Sequence, residues 1–246
     1  MPDALNPYRD ISVVIPVREG SSRVREKIFL PFHEQMTLLD WKIAQLLEVQ
    51  SPDRIFLSSN SDRVRAAAER AGVGFLPRSD YLSTGHDASF SEVITGIVKD
   101  VPTAHFAWVT VVVPLMTPEE YREGFDLYLR DVAGAGSHDS LVSVNLVKEY
   151  FWNAAGALNY RADRGHTISQ ELPDWFRVTN GLYMRSVADT LREGYFLGPQ
   201  PVMHRVGKAS GIDIDEYEDY EHAVALKARY LEGRGGAGHG PARIAA

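Results

Sequence analysis

The sequence predicts an α/β protein with a mostly parallel sheet and helices on both faces, and three observations lead there. Short apolar runs of strand length alternate with segments of helical spacing from Ile11 to Val147, the rhythm of strand–helix–strand crossovers. The strand runs are nearly continuously apolar rather than alternating, as expected for strands buried on both faces. The chain has 246 residues, 44% of them hydrophobic, enough for one large domain with a single core.

The elements follow in order. Ile11 to Val17 is the first strand candidate, followed by a loop of glycine, serine and arginine. Leu38 to Val49 carries helical apolar spacing, Arg54 to Ser58 is a strand, and Asp62 to Ala71 is a helix that Gly72 stops, since glycine accepts the left-handed conformation of a helix C-terminus. Ser89 to Lys99 reads as a helix and His105 to Val113 as a strand. Pro118 opens another helix with Glu119 and Glu120 in its first turn, where the helix dipole favours acids. Ser140 to Val147 is a further strand. From about 149 to 180 the chain is aromatic and polar with no helical period, which predicts an excursion, a hairpin or arm, within a single domain spanning residues 1–232. Gly181 to Met184, a helix near Ser186 to Arg192 and a last helix from about Tyr217 to Tyr230 complete the set. The Gly/Ala-rich tail at 233–246 is expected to be disordered.

Composition excludes several functions. There is no cysteine, hence no disulfide, thiolate zinc site or cysteine nucleophile. The net charge of −7 without a basic stripe argues against a nucleic-acid partner. No apolar run reaches the ~18 residues of a membrane span, and Met1 to Asp10 lacks the zones of a secretory signal. A cytoplasmic location and no membrane partner are therefore expected.

Three segments carry candidate chemistry. Ile15 to Lys27 follows the first strand and combines Gly20, Ser21 and Ser22 with Arg18, Arg23, Arg25 and Lys27. Accessible backbone N–H groups and several cations suit a polyphosphate, although a solvated basic turn accounts for the same residues. In Gly211 to Glu216, Asp213 and Asp215 share one face if the segment is extended, and two hard oxygen ligands beside a triphosphate suit Mg²⁺. A helix cap at Asp215 beside a surface acid at Asp213 is the plainer alternative. Gln170 to Pro173, with Arg177, Asn180 and Gly181, fits sugar binding or a subunit interface equally well. His86, Asp87, Ser89 and Ser91 lie close in sequence, but no Gly-x-Ser-x-Gly elbow accompanies them, so a hydrolase triad is not expected.

Over residues 11–230 the order of these segments resembles the acylneuraminate cytidylyltransferases. Arg18, Gly20, Ser21, Arg23 and Lys27 match a loop of the type Pro-Ala-Arg-Gly-Gly-Ser-Lys-Arg-Ile-Pro-x-Lys-Asn. Asp139 to Val144 is similar to that family's Asp-Ser-Val-Val-Ser-Val strand, Gln170 to Pro173 with Asn180, Gly181 and Tyr183 to its Gln-Asp-Leu-Pro, Asn-Gly and Tyr, and Ile212 to Asp215 to its closing metal motif. The resemblance implies a Rossmann-like nucleotidyltransferase fold of the nucleotide-diphospho-sugar transferase type, usually a homodimer in which the small excursion serves dimerisation. It implies transfer of CMP from CTP to a small acidic sugar of the nonulosonate type with Mg²⁺ as cofactor. Arg18, Lys27, Asp213 and Asp215 would be the catalytic set. Gly20, Ser21, Ser22, Arg23, Arg78, Ser89 and Thr110 would join Arg18 and Lys27 on the nucleotide, and Gln170, Arg177 and Asn180 would bind the acceptor. Asp213 and Asp215 would hold the metal.

The departures fall on base recognition. Ile28 stands where the family has asparagine after the loop lysine, and Thr110 to Met116 replaces Gln-Pro-Thr-Ser-Pro-Leu-Arg. Preference for CTP is therefore expected to be weaker than in the family. A glycosyltransferase of similar fold, or an inactive nucleotide-binding homologue, would use the same motifs differently.

Overall fold

The computed structural model describes residues 6–20, 23–84, 87–134 and 136–235. Among the described residues, β1 (Ile11–Pro16), β4 (Ile55–Ser59), β5 (Gly74–Pro77), β6 (His105–Trp108), β7 (Ser140–Val147), β10 (Trp175–Ser186) and β11 (Pro201–Arg205) form one sheet in the order β11-β7-β10-β6-β1-β4-β5. β1 is parallel to β4 and β6, and β4 to β5. β10 alone runs against the others, antiparallel to both β6 and β7, and β11 returns parallel to β7. Two short ribbons lie outside it, β2 (Pro31–His33) with β3 (Met36–Thr37) and β8 (Trp152–Asn153) with β9 (Gly156–Ala157).

The helices are α1 (Leu38–Leu47), α2 (Asp62–Ala71), α3 (Phe90–Val98), α4 (Pro118–Tyr128), α5 (Val187–Glu193) and α6 (Tyr217–Gly235). Their starts are set locally. Thr37, Ser89 and Thr117 each form a reciprocal cap with Asp40, Glu92 and Glu120 three residues on, satisfying N–H groups that the helix leaves unpaired. Gly72 ends α2 at φ 69°. Strand alternation sorts the core into two layers: Ile11, Val13 and Ile15 pack with Trp41, Val64 and Phe125 on one face, whereas Val14, Phe106 and Trp108 pack with Ile94, Ile97 and Phe196 on the other.

Three expectations shift. The strand expected over His105 to Val113 stops at Trp108. Val111 and Val113 are nevertheless buried, because this turn is folded onto α1 and not exposed at a sheet edge. The excursion closes near residue 174 instead of 180: Trp175 to Val178 pair with Val147 to Val144 as the first half of β10. That half was obscured by its partly exposed side chains and by an irregularity between Val178 and Tyr183. The last helix continues to Gly235, past the expected boundary at 232, and residues 236–246 lie outside the described residues.

Candidate functional site

The chain leaves β1 towards β4 and β5 on one side and returns through β6 on the other. Between β1 and β6 the winding reverses, and ligands of open α/β sheets bind beyond the strand C-termini at such a point. A cleft of about 640 Å³ opens there, with Pro16 at the end of β1, Arg18 after it, Arg78 after β5, Thr110 after β6, and Asp213 and Asp215 among its lining residues. A second lobe of about 250 Å³ shares Pro16, Arg18, Thr110 and Val112 and adds Gly20, Arg23 and Lys27. One lobe is thus cationic, and the other opens against an aromatic wall.

The loop after β1 and the acidic segment before α6 are clasped together. Lys27 is buried, and its ammonium donates to the Ile214 carbonyl and, at 3.4 Å, to that of Asp215. Burial holds its pKa below the usual lysine range, with the nearby Asp215 acting in the opposite direction. The Ile214 N–H donates to the Val112 carbonyl at 2.9 Å, so this peptide is held from both sides. Ile214 itself is fully buried, which directs its acidic neighbours away from the core. Arg23 reaches the Asp215 carboxylate at 2.5 Å, both side chains being half exposed. Asp215 is no helix cap: the backbone N–H groups of Asp215 and Glu216 both donate to Asp219.

Asp213 is the more enclosed acid. Its Oδ2 accepts from the Asn180 amide at 2.7 Å, while its Oδ1 is buried without a partner among the described residues. Burial raises its pKa, partly offset by the Asn180 hydrogen bond. A buried, unpartnered carboxylate oxygen is costly unless a cation or donor completes it, so the donor set fits a hard divalent ion. Among the described residues no three His, Asp or Glu side chains converge. Asp213 and Asp215 are the residues here that could hold Mg²⁺, an ion that commonly completes its shell with phosphate oxygens and water.

Arg18 lies between the lobes and donates to the Thr84 carbonyl at 3.2 Å. Arg78 is buried and braces two loops through the Val17 carbonyl and the Ser83 hydroxyl; burial, with Arg18 nearby, lowers its pKa to about 10. Thr110 lines both lobes, but its hydroxyl donates to the Asn180 carbonyl at 2.7 Å. Ser89 sits outside the lining of either lobe, its side chain exchanging hydrogen bonds with Glu92 at the start of α3. Ser21 and Ser22 lie outside the described residues, as does His86.

The expected acceptor set is dispersed. Asn180 lines the main cleft. Arg177 is spent on Asn145 and the Gly211 carbonyl and borders a separate hollow with Lys148 and Lys208. Gln170 is exposed in a short turn and lines neither lobe.

Sequence reasoning missed two features. The first is the aromatic wall of Phe90, Trp108, Tyr195 and Phe196, whose readable trace was the Tyr-Phe pair directly after the helix-ending Gly194. The second is a polar clamp on α1. Trp41 and Gln45 donate to the Pro114 carbonyl, Gln45 also to that of Met116, and Lys42 donates to the Val113 carbonyl and the Tyr121 hydroxyl. These bonds satisfy the carbonyls of the buried turn after β6 and hold Thr110 to Val112 against the acidic segment.

Comparison with known proteins bears on the fold and the family. The N-acylneuraminate cytidylyltransferase of Escherichia coli O18:K1:H7 (strain RS218 / NMEC) is 22% identical over 225 residues, covering 89% of this chain and 52% of that protein. The chain thus spans about half the length of that curated relative. A CMP:2-keto-3-deoxy-manno-octonic acid synthetase complexed with CTP superposes with TM-score 0.64 at 14% identity, over 89% of this chain and 99% of the other. The 4-diphosphocytidyl-2C-methyl-D-erythritol synthase from Anaerococcus prevotii DSM 20548 gives 0.63 at 12% identity, over 93% of this chain and 100% of the other. These likenesses establish the shared fold. Residues 12–162, more than half of the chain, match the sequence profile described as cytidylyltransferase; this stretch includes β1, its cationic loop and the turn after β6, so the protein belongs to the cytidylyltransferase family of nucleotidyltransferase enzymes.

Proposed function

We propose that the enzyme transfers CMP from CTP to a small acidic sugar of the nonulosonate type and releases pyrophosphate. The observation that carries this reading is the clasp of Lys27 on the Ile214 carbonyl, which brings a cationic loop and two carboxylates to the same cleft. Arg18, Arg23 and Lys27 would neutralise the triphosphate. The Arg23–Asp215 pair is half exposed and so worth at most ~1 kcal/mol, which leaves Arg23 free to turn onto phosphate. Asp213 and Asp215 would hold Mg²⁺, which when bound supplies charge stabilisation and acidifies the attacking hydroxyl. The acceptor's anomeric hydroxyl would attack the α-phosphorus as its bond to the β-phosphate oxygen breaks. The aromatic wall would orient the acceptor and exclude water. The name of the Escherichia coli relative favours an acylated nonulosonate as acceptor.

A homodimer is part of the proposal. Trp152 of the excursion, Leu146 and Val178 on one face of the β7–β10 pair and Trp175 on the other are exposed, apolar surface of the kind interfaces cover. Sedimentation at micromolar concentration is expected to give a dimer, and a strict monomer with normal turnover would remove this part. The central test is pyrophosphate release with four nucleoside triphosphates against a panel of sugar acids in Mg²⁺. CTP with a nonulosonate is expected to respond; release with a purine triphosphate alone would overturn the choice of CTP, and no release with any pair would overturn the transfer itself.

A further inference from the structure

Asn180 is held in an unusual state. It has φ 58°, in the irregular stretch of β10 between Val178 and Tyr183, a backbone conformation that asparagine accepts more readily than other non-glycine residues. A Cβ on the following Gly181 would come within 2.9 Å of the Met116 sulfur, so the strand is pressed against the turn after β6. Asn180 is also heavily committed. Its carbonyl accepts from Thr110 at 2.7 Å, its Oδ1 from the Tyr183 phenol at 2.5 Å, and its Nδ2 donates to Asp213 Oδ2 at 2.7 Å.

These bonds have one direction. The Asp213 carboxylate offers acceptors, so it takes the Asn180 NH₂, and the amide oxygen is left to accept from the buried Tyr183 phenol. The amide occupies one carboxylate oxygen and leaves the other, Oδ1, buried and without a partner among the described residues. A neighbour that occupies one carboxylate oxygen restrains the group and leaves its other oxygen for a cation.

We propose that Tyr183 and Asn180 form a relay that positions Asp213 for the metal, and that Asn180 serves the metal and not the acceptor. The proposal rests on the reading of Asp213 and Asp215 as metal-holding residues. Partners of this kind change metal affinity by about 10–100-fold when removed.

The test is binding of Mn²⁺, as a probe for Mg²⁺, to the full chain without nucleotide, read from the electron paramagnetic resonance signal of the free ion. Asn180→Gly keeps the backbone conformation available, since glycine accepts positive φ, and Tyr183→Phe removes only the phenol oxygen. Thermal unfolding shows whether each variant is folded. Asn180→Gly is expected to weaken Mn²⁺ at least about tenfold, and Tyr183→Phe to weaken it in the same direction by a smaller factor. Unchanged Mn²⁺ affinity in both, with binding lost in Asp213→Asn, would overturn the relay alone. Unchanged binding in Asp213→Asn would overturn the metal reading and the relay with it.

Discussion

Lys42 offers the sharpest test of how the site is supported. It is fully buried on α1, and its pKa is pushed down from 10.5 to about 7 by burial, Glu120 opposing. The polar groups facing it are Tyr121 and Glu120 of α4 and the Val113 carbonyl. In the folded protein the amine is neutral above about pH 7, whereas in the unfolded chain it stays charged to about 10.5. Unfolding between these values takes up a proton, so stability rises with pH there, by up to ~1.4 kcal/mol per pH unit. From pH 7 to 9.5 the gain sums to about 3 kcal/mol; below pH 7 both states are protonated and the term is flat. Above pH 10 buried tyrosines such as Tyr8, raised to about 12, reverse the trend. Lys42→Met removes the rise and leaves Val113 and Tyr121 without their donor, a loss of about 1–3 kcal/mol for each orphaned group. Urea unfolding at constant ionic strength from pH 6 to 9.5 should show the variant's deficit growing by about 3 kcal/mol between pH 7 and 9.5, on top of the loss from the orphaned groups. Lys27 and Lys227, also lowered by burial, act in both proteins and cancel in the comparison. Parallel curves for parent and variant would refute the reasoning.

Two further outcomes are expected. Asp213→Ala and Asp215→Ala should each lower turnover by about a hundredfold or more, the scale of lost transition-state charge stabilisation, while thermal unfolding without metal changes little; near-parent activity in either folded variant would remove it from the metal site. Thr110 offers one hydroxyl, already given to Asn180, so discrimination between CTP and UTP should be roughly ten- to a hundredfold weaker for each missing base contact, and Thr110→Gln should raise the kcat/KM ratio; a strict preference unchanged by that substitution would place base reading elsewhere.

Local chemistry was legible in the sequence because it is set by neighbours along the chain. Gly72 stopping α2, Pro118 opening α4 and the apolar runs of β1 and β7 depend on backbone preference and side-chain period. The shared face of Asp213 and Asp215 and the cationic loop were visible for the same reason: each lies within a few residues. What joins them was not visible. Lys27 meets the Ile214 carbonyl across 187 residues, and Asn180 meets Asp213 across 33; no period or spacing encodes such encounters. The apolar run after Trp108 read as strand because burial by α1 and burial in a sheet leave the same composition. Ser89 and Arg177 show the converse limit. Their residue types suit ligands, yet a helix N-terminus and a backbone carbonyl claim them first, and which partner a polar group finds is decided only when the tertiary structure brings the candidates within reach.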